Sequence, residues 1–174
     1  SVKTREIKSS RGNVSVDVLK VSNPSPRAWF VIETETVSDD EVWRKIVQPS
    51  FNPLETAYVN EPIKISADSK GSIIKFEKGV NHTRIMTESS GNQFLVLSEV
   101  YYPLRWKAMM DGKEIQTHKV NGILRGVEVP AGNHTIDFIY DKSSFKKGLT
   151  ISFTSFGLSL GLIGFGYFRR KKDE

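Results

Sequence analysis

The feature that most constrains this chain is an uncharged apolar run near its C-terminus, from Gly148 to Phe168. At ~1.5 Å per helical residue, the run crosses the ~30 Å hydrocarbon core of a bilayer. Its Ser and Thr hydroxyls can bond to carbonyl groups of the preceding helical turn, so they tolerate lipid. We therefore predict a transmembrane helix over residues 148–168. The alternative, a buried helix of a soluble core, seldom runs this long without a charge.

Basic and aromatic residues flank the predicted helix and orient it in the bilayer. The side chains that we expect at the membrane interface are Lys146, Lys147, Tyr167, Arg169 and Arg170. Residues 169–174 form a basic tail, and its excess of Lys and Arg favours a cytoplasmic C-terminus. This charge bias would place residues 1–147 as an extracytoplasmic domain at the cell membrane, whereas a complete chain without an upstream signal would keep them in the cytoplasm. The lysines before the helix can anchor it at the interface or attract anionic lipid, at ~1 kcal/mol each.

Composition narrows the possible functions of residues 1–147, which are long enough for one domain with a hydrophobic core. The net charge of the whole chain is +5, but its lysines are scattered, so we expect no nucleic-acid partner. The absence of cysteine excludes disulfides, thiolate nucleophiles and Cys-ligated zinc. The chain starts with Ser1 and a polar segment, from which we expect a piece of a longer protein.

Short strand patterns separated by turn signals fill most of the domain and predict a mainly β fold, an antiparallel β-sandwich. Asp111-Gly112 predicts a tight hairpin turn between strands over residues 106–110 and 113–120. A further hairpin is predicted between residues 123–129 and 135–140. Residues 92–101 have a continuous apolar centre, which is typical of a central strand buried on both faces. Other strands are predicted over residues 13–21, 27–35, 72–79 and 82–88 and at the end of residues 51–60.

A change to helical periodicity over residues 38–48 predicts one short helix in the domain. Ser38 and Glu41 form a capping box, and acidic residues crowd the first turn, where they stabilise the helix and are not a catalytic pair. We expect this helix to pack on a sheet and to share the large side chain of Trp43. The predicted apolar face consists of Val42, Ile46 and Val47.

A G-x-S-x-G pattern at residues 157–161 matches the nucleophile elbow of serine hydrolases. It lies in the middle of the apolar run, away from every His and acid of the chain, so we reject that interpretation. Gly157 and Gly161 also form a G-x-x-x-G pair, which lets membrane helices approach closely; plain exposure to lipid is the alternative. The histidines and acids show no metal-ligand spacing. We therefore expect no catalytic residue, metal or cofactor in this chain.

Several short segments of the sequence, taken in order, resemble those of a known protein family. They are PRAWFV (26–31), PSFNP (49–53), LVLSEVYYPLRWKAMMDGKE (95–114), LRGV (124–127), VPAGNHTI (129–136) and SFKKG (144–148). In this order, and ending in a membrane helix, they resemble the C-terminal end of YfhO-like bacterial membrane proteins. The chain departs from that pattern where Leu104-Arg105 replace a single Gly before Trp106.

The resemblance implies a function. YfhO-like proteins resemble multi-pass, GT-C-like glycosyltransferases that take sugars from a polyprenyl-phosphate carrier and decorate cell-envelope polymers such as lipoteichoic acid. Their catalytic acids are expected in an N-terminal membrane region outside this chain. The chain would then be the non-catalytic C-terminal extracytoplasmic domain and last membrane helix, with a role in acceptor binding or scaffolding, and other transmembrane helices of the parent protein would be partners. The alternative is a stand-alone membrane-anchored module that binds glycans without transferase activity.

One cluster of side chains is a candidate binding site for a cell-envelope glycopolymer or a polyprenyl-phosphate sugar. Its members are Tyr101, Tyr102, Arg105, Trp106 and Arg125. Aromatic faces stack on the apolar faces of sugar rings, and a guanidinium pairs with phosphate through two hydrogen bonds. The alternative is that alternate members of the stretch belong to the core and that the arginines lie on the surface.

Overall fold

The computed structural model of the chain describes residues 2–9, 12–19 and 25–172; the side chains of residues 2–19, 166–168 and 170–172 fall outside that description. The described residues form these elements, in chain order: β1 Val2–Ser9, β2 Gly12–Leu19, β3 Ala28–Phe30, β4 Glu33–Thr36, α1 Asp39–Lys45, β5 Thr56–Val59, β6 Gly71–Lys78, β7 His82–Ser89, β8 Gln93–Val100, β9 Trp106–Met110, β10 Lys113–Ile115, β11 His118–Val120, β12 Leu124–Val129, β13 Gly132–Tyr140 and α2 Ser143–Lys172.

Two sheets face each other and confirm the predicted β-sandwich. One sheet has the strand order β10-β9-β13-β7-β6, and the other has the order β3-β8-β12-β11-β5-β4. All pairs are antiparallel except β4 with β5, which is parallel. Apolar side chains that alternate along the strands fill the space between the sheets, as a half-buried strand pattern requires. The buried side chains of this core are Ala28, Ile85, Leu95, Leu97, Ala108, Met110, Val127, Val129, Ile136 and Phe138.

The six-stranded sheet curls until its two edges meet. The edge strands β3 and β4 are consecutive in the chain, and only Val31 and Ile32 separate them. Val31 N–H still bonds to the Phe94 carbonyl of β8, while Ile32 N–H already bonds to the Glu55 carbonyl beside β5. The predicted strand over residues 27–35 is therefore one bent segment that forms both edge strands of this sheet. A second core fills the inside of the curl: Trp29, Val31, Ala57, Val59, Phe94, Val96 and Val120.

Strand β8 lies between these two cores, which confirms the prediction of a strand buried on both faces. Residues 93–97 are all buried, and Leu95 and Leu97 face one core while Phe94 and Val96 face the other. A strand with apolar contacts on both sides needs no polar face, so its sequence is a continuous apolar run.

The hairpin predicted over residues 123–140 is wrong, because the two strands belong to different sheets. Strand β12 pairs with β8 and β11, whereas β13 pairs with β7 and β9. The predicted run 113–120 also divides: β10 stays with β9, and β11 crosses to the other sheet. The turn at Asp111-Gly112 is confirmed, with φ of 49° and 82° as a primed turn requires. A local pattern does not specify which sheet a strand joins.

Helix α1 is shorter than the predicted range. The Glu41 carboxylate accepts hydrogen bonds from the backbone N–H of Ser38 at 3.3 Å and from its hydroxyl at 2.9 Å, which confirms the capping pair. Val42 is buried, but Val47 lies beyond the helix end and is exposed, so the predicted apolar face is only partly correct. Trp43 is half-exposed, and its ring covers Gly122, where an added Cβ would lie 2.9 Å from it.

Helix α2 confirms a continuous helix across the predicted span, and it begins at Ser143, earlier than expected. The Asp141 carboxylate accepts the Ser143 N–H at 2.8 Å and so stabilises this earlier start. Within Ser143–Phe165, an 18-residue stretch has a mean hydropathy of 1.5, and none of its residues is buried. As predicted, hydroxyl groups bond to carbonyls one turn back. These bonds join Thr150 to Lys146 at 3.0 Å, Thr154 to Thr150 at 2.9 Å, and Ser159 to Ser155 at 2.9 Å.

An N-terminal hairpin of β1 and β2 forms a separate two-stranded sheet. Its register pairs Val2 with Leu19 and Ser9 with Gly12. The strand predicted over residues 13–21 is confirmed up to Leu19, and residues 20–21 lie outside the described residues. Strand β1 was not predicted, because its charged residues alternate with few apolar ones.

Candidate functional site

The loop between β8 and β9 carries most of the predicted binding residues, and it lies where the domain meets α2. Tyr101 N–H donates to the Ile123 carbonyl at 2.8 Å, and Trp106 N–H donates to the Tyr102 carbonyl at 2.9 Å. The Arg105 carbonyl accepts the N–H of Asp141 at 2.6 Å, two residues before α2 begins. These main-chain bonds fix the loop at the end of the sandwich from which α2 leaves.

Two members of the predicted cluster, Tyr101 and Trp106, line a polar groove beside this loop. A cavity of about 260 Å³ lies between them, the β9–β10 hairpin and the crossing from β10 to β11. A second cavity of about 190 Å³ continues past Tyr101 towards β11. We name the two together the edge groove. Its polar lining includes Asn60, Glu61, Glu114, Gln116, Thr117, His118 and Lys119.

A lysine-lined cleft adjoins the edge groove. The cleft has a volume of about 520 Å³ and lies between the β9–β13 pair and the first turn of α2. We name it the lysine cleft after Lys107, Lys142 and Lys146. Lys107 and Glu114 line both the groove and the cleft, and their side chains form an ion pair at 3.1 Å. The arrangement offers aromatic and hydrogen-bonding groups on one side and positive charge on the other.

Arg125 does not reach either surface. Its side chain is buried between the sheets, where the guanidinium carbon lies 4.6 Å from the ring centroid of Trp106 and 5.0 Å from that of Phe138. Its Nη2 lies 3.9 Å from a Glu99 carboxylate oxygen, and its Nε and Nη1 have no hydrogen-bond partner. Burial lowers the pKa of Arg125, and the nearby Glu99 charge raises it in part. Arg125 therefore supports Trp106 from inside the fold instead of contacting a ligand.

Two further members of the predicted cluster lie outside the edge groove. Arg105 Nη1 donates to the Ser144 hydroxyl at 2.7 Å and ties the loop to the first turn of α2. Tyr102 is about half exposed on the tip of the loop. Of the predicted interface residues, Lys146 lines the lysine cleft and Lys147 and Arg169 are exposed, whereas the side chains of Tyr167 and Arg170 lie outside the described part.

The predicted helix-packing residues lie on an open face. A Cβ atom added at Gly157 or at Gly161 would meet no atom within 4 Å apart from the neighbouring backbone of α2 itself. The described side chains of α2 around them are exposed. This face is therefore free to contact lipid or another helix.

The histidines occupy three separate places, each near a carboxylate. Among the described residues, no group of three or more His, Asp or Glu side chains is placed to hold a metal ion. The pairs are His82 with Asp137 at 2.7 Å, His134 with Asp111 at 2.7 Å, and His118 with Glu128 at 3.5 Å. Asp111 raises the pKa of His134, and His134 lowers the pKa of Asp111. Each pair links a strand to a neighbouring strand or turn.

Sequence reasoning missed the polar lining of the edge groove, although one signal was available. The turn at Asp111-Gly112 sets the hairpin register and pairs Ile115 with Ala108. Continuing that register places Gln116 beside Lys107, close to Trp106. The contribution of Asn60 and Glu61 has no such local signal, because these residues come from the end of β5.

The comparisons with known proteins give one family. The model of the family described as bacterial membrane protein YfhO matches residues 5–152, which include the sandwich and the first turns of α2. No curated protein and no solved structure matches the chain.

Proposed function

Because the chain belongs to the YfhO family of bacterial membrane proteins, we propose that it is the non-catalytic, extracytoplasmic part of a membrane glycosyltransferase that holds the acceptor. The acceptor would be a membrane-borne saccharide with phosphate groups, such as lipoteichoic acid. The C-terminus would then be cytoplasmic. A stand-alone glycan-binding module would use the same groove.

One observation carries the proposal: the edge groove and the lysine cleft adjoin each other at the start of the membrane helix. The rings of Tyr101 and Trp106 offer apolar faces to a sugar, and Gln116 and Glu114 offer hydrogen bonds to its hydroxyls. Lys142 and Lys146 offer charge to a phosphate. A lipid-linked saccharide phosphate has a sugar and a phosphate next to each other, which matches these two neighbouring surfaces.

Binding of lipoteichoic acid to the chain in nanodiscs tests the proposal by calorimetry. Tyr101→Ala removes a groove ring, and loss of such a contact costs about 1 kcal/mol, or roughly fivefold in Kd. Tyr102→Ala is the matched control, because this neighbouring ring does not line the groove. Equal affinity of both variants and the unchanged chain, with unaltered circular dichroism, would refute groove binding.

The phosphate part is tested with the same measurement on Lys142→Ala combined with Lys146→Ala. We expect weaker binding and a smaller dependence on salt, since two positive charges near the phosphate are lost. Lys113→Ala combined with Lys64→Ala removes the same charge away from the cleft. If both pairs weaken binding alike, the attraction is due to net charge and not to the lysine cleft.

Scaffolding is a second candidate function, and the open face of α2 favours it. A membrane helix that leaves Gly157 and Gly161 uncovered has a surface suited to close contact with another helix. In a multi-pass YfhO protein that helix would be a neighbouring span.

A further inference from the structure

The connections at the end of the sandwich from which α2 leaves carry a group of exposed apolar side chains. Three connections lie at the end from which α2 leaves: residues 79–81, 101–105 and 121–123. Main-chain bonds join the first two to the chain just before α2, because Tyr140 N–H donates to the carbonyl of residue 81 and Asp141 N–H to that of residue 105. The third is bonded to the second, since Tyr101 N–H donates to the carbonyl of residue 123. All three therefore share the membrane side of the domain.

Each of these three connections exposes a large apolar side chain. Val80 is 91% exposed, Leu104 75%, Ile123 50% and Tyr102 46%. We name these four residues the near-end rim. At the opposite end, the connections Ser90-Gly91-Asn92, Asp111-Gly112 and Pro130-Ala131 have no large apolar residue, and a single one, Ile32 between β3 and β4, is 72% exposed beside the start of β8. Turns in water favour small and polar residues, so four exposed apolar side chains on three connections at one end need a separate explanation.

The rim lies beside the start of α2. Leu104 precedes Arg105, whose guanidinium donates to the Ser144 hydroxyl at 2.7 Å in the first turn of α2. The segment long and apolar enough to cross a membrane starts there, at Ser143. Lys142 and Lys146 lie beside the same turn, and apolar side chains among basic ones are typical of surfaces that rest in the lipid interface.

We propose that the near-end rim inserts into the interface of the bilayer that α2 spans, so that the sandwich rests on lipid at three further points. The contact fixes the tilt of the domain and limits its rotation about α2. It also holds the edge groove at the level of the lipid headgroups. A domain joined to the membrane by α2 alone would instead sample many orientations above the surface.

Fluorescent depth measurements test the proposal, and the cysteine-free sequence suits them. Single substitutions Val80→Cys, Leu104→Cys and Ile123→Cys each carry one environment-sensitive dye on the full chain. Ser90→Cys and Ala131→Cys at the opposite end are the controls. The chain is reconstituted in vesicles of phosphatidylcholine and phosphatidylglycerol, with or without bromine atoms on the acyl chains.

We expect blue-shifted dye emission at positions 80, 104 and 123 and a loss of that emission in brominated vesicles, with no such change at positions 90 and 131. Water-like emission at the rim positions would overturn the proposal. Blue-shifted emission without quenching by brominated lipid would also overturn it, because the rim would then be covered by protein. Equal quenching at both ends would show non-specific adsorption and would contradict it as well.

Discussion

At the scale of single residues, Arg125 shows why the burial of a side chain must be known before the residue is assigned a binding role. In the sequence it is one of two arginines near aromatic residues, and either can pair with a phosphate. In the fold it stacks beneath Trp106 and lies between the sheets. A guanidinium in this position is held by ring faces and by the charge of Glu99 at 3.9 Å, and two of its nitrogens have no hydrogen-bond partner.

Substitution of Arg125 separates the contribution of its volume from that of its charge. Arg125→Met keeps most of the volume and removes the buried charge, so we expect an unchanged or higher Tm. Arg125→Ala leaves a cavity and should lower the unfolding free energy by about 2–5 kcal/mol. Thermal unfolding followed by circular dichroism measures both.

The comparison is not complicated by an unpaired charge on Glu99, because the Glu99 carboxylate keeps other partners when Arg125 is replaced. It also pairs with Arg27 and Lys78. If Arg125→Met destabilises the protein as much as Arg125→Ala, the positive charge itself contributes to stability.

At the scale of elements, α2 depends on local sequence and the strands depend on their neighbours. The apolar run, together with Asp141, which accepts the N–H of Ser143, is enough to specify a helix. Hydroxyl groups such as that of Thr150 are satisfied by bonds to carbonyls one turn back. Strands β10 and β11 come from one continuous pattern, yet they belong to different sheets. The crossing at Gln116-Thr117 is also what creates the edge groove.

Replacement of the small residues on α2 tests whether its open face packs against other helices. Gly157→Ile together with Gly161→Ile places branched side chains where two backbones would approach. We expect this pair to abolish co-purification of the chain with the membrane region of a YfhO-family protein. Leu158→Ile with Leu162→Ile is the control, since it keeps the volume on an adjacent face. Undiminished co-purification of the glycine variant would favour exposure of this face to lipid.

At the scale of the whole molecule, ion pairs on the five-stranded sheet make the stability of the fold depend on pH. Arg84 lowers the pKa of Asp137, and His134 lowers the pKa of Asp111. A carboxylate with a lowered pKa stabilises the fold above its unfolded pKa and loses this effect as the pH falls. Asp111 raises the pKa of His134, so that contribution is present below the unfolded pKa of His and is lost as the pH rises.

We therefore expect a maximum of Tm between the unfolded pKa values of Asp and His, about 3.9 and 6.5. Asp111→Asn keeps a side chain that tolerates the positive φ of this turn. It should remove the decline on the alkaline side and leave the acid decline due to Asp137. Calorimetric Tm values from pH 3 to pH 9 check this; an alkaline decline that persists in Asp111→Asn would assign it to another group.

Much of the candidate site could be predicted from the sequence, and the remainder depended on residues far apart in the chain. The aromatic loop at Tyr101 and Trp106 and the lysines before α2 are visible as local clusters. Asn60 meets Tyr101 only because β5 and β11 pair across the curled sheet. Such pairings have no local signal.

By itself, the sequence determined the membrane helix, the strand segments and their tight turns, because each depends on periodicity and turn chemistry within a few neighbouring residues. The tertiary structure alone decided which sheet each strand joins, that β3 and β4 meet around a second core, and that Arg125 lies inside. It also decided that three apolar turns share one end with α2. These outcomes depend on burial between distant segments, which a local pattern does not specify.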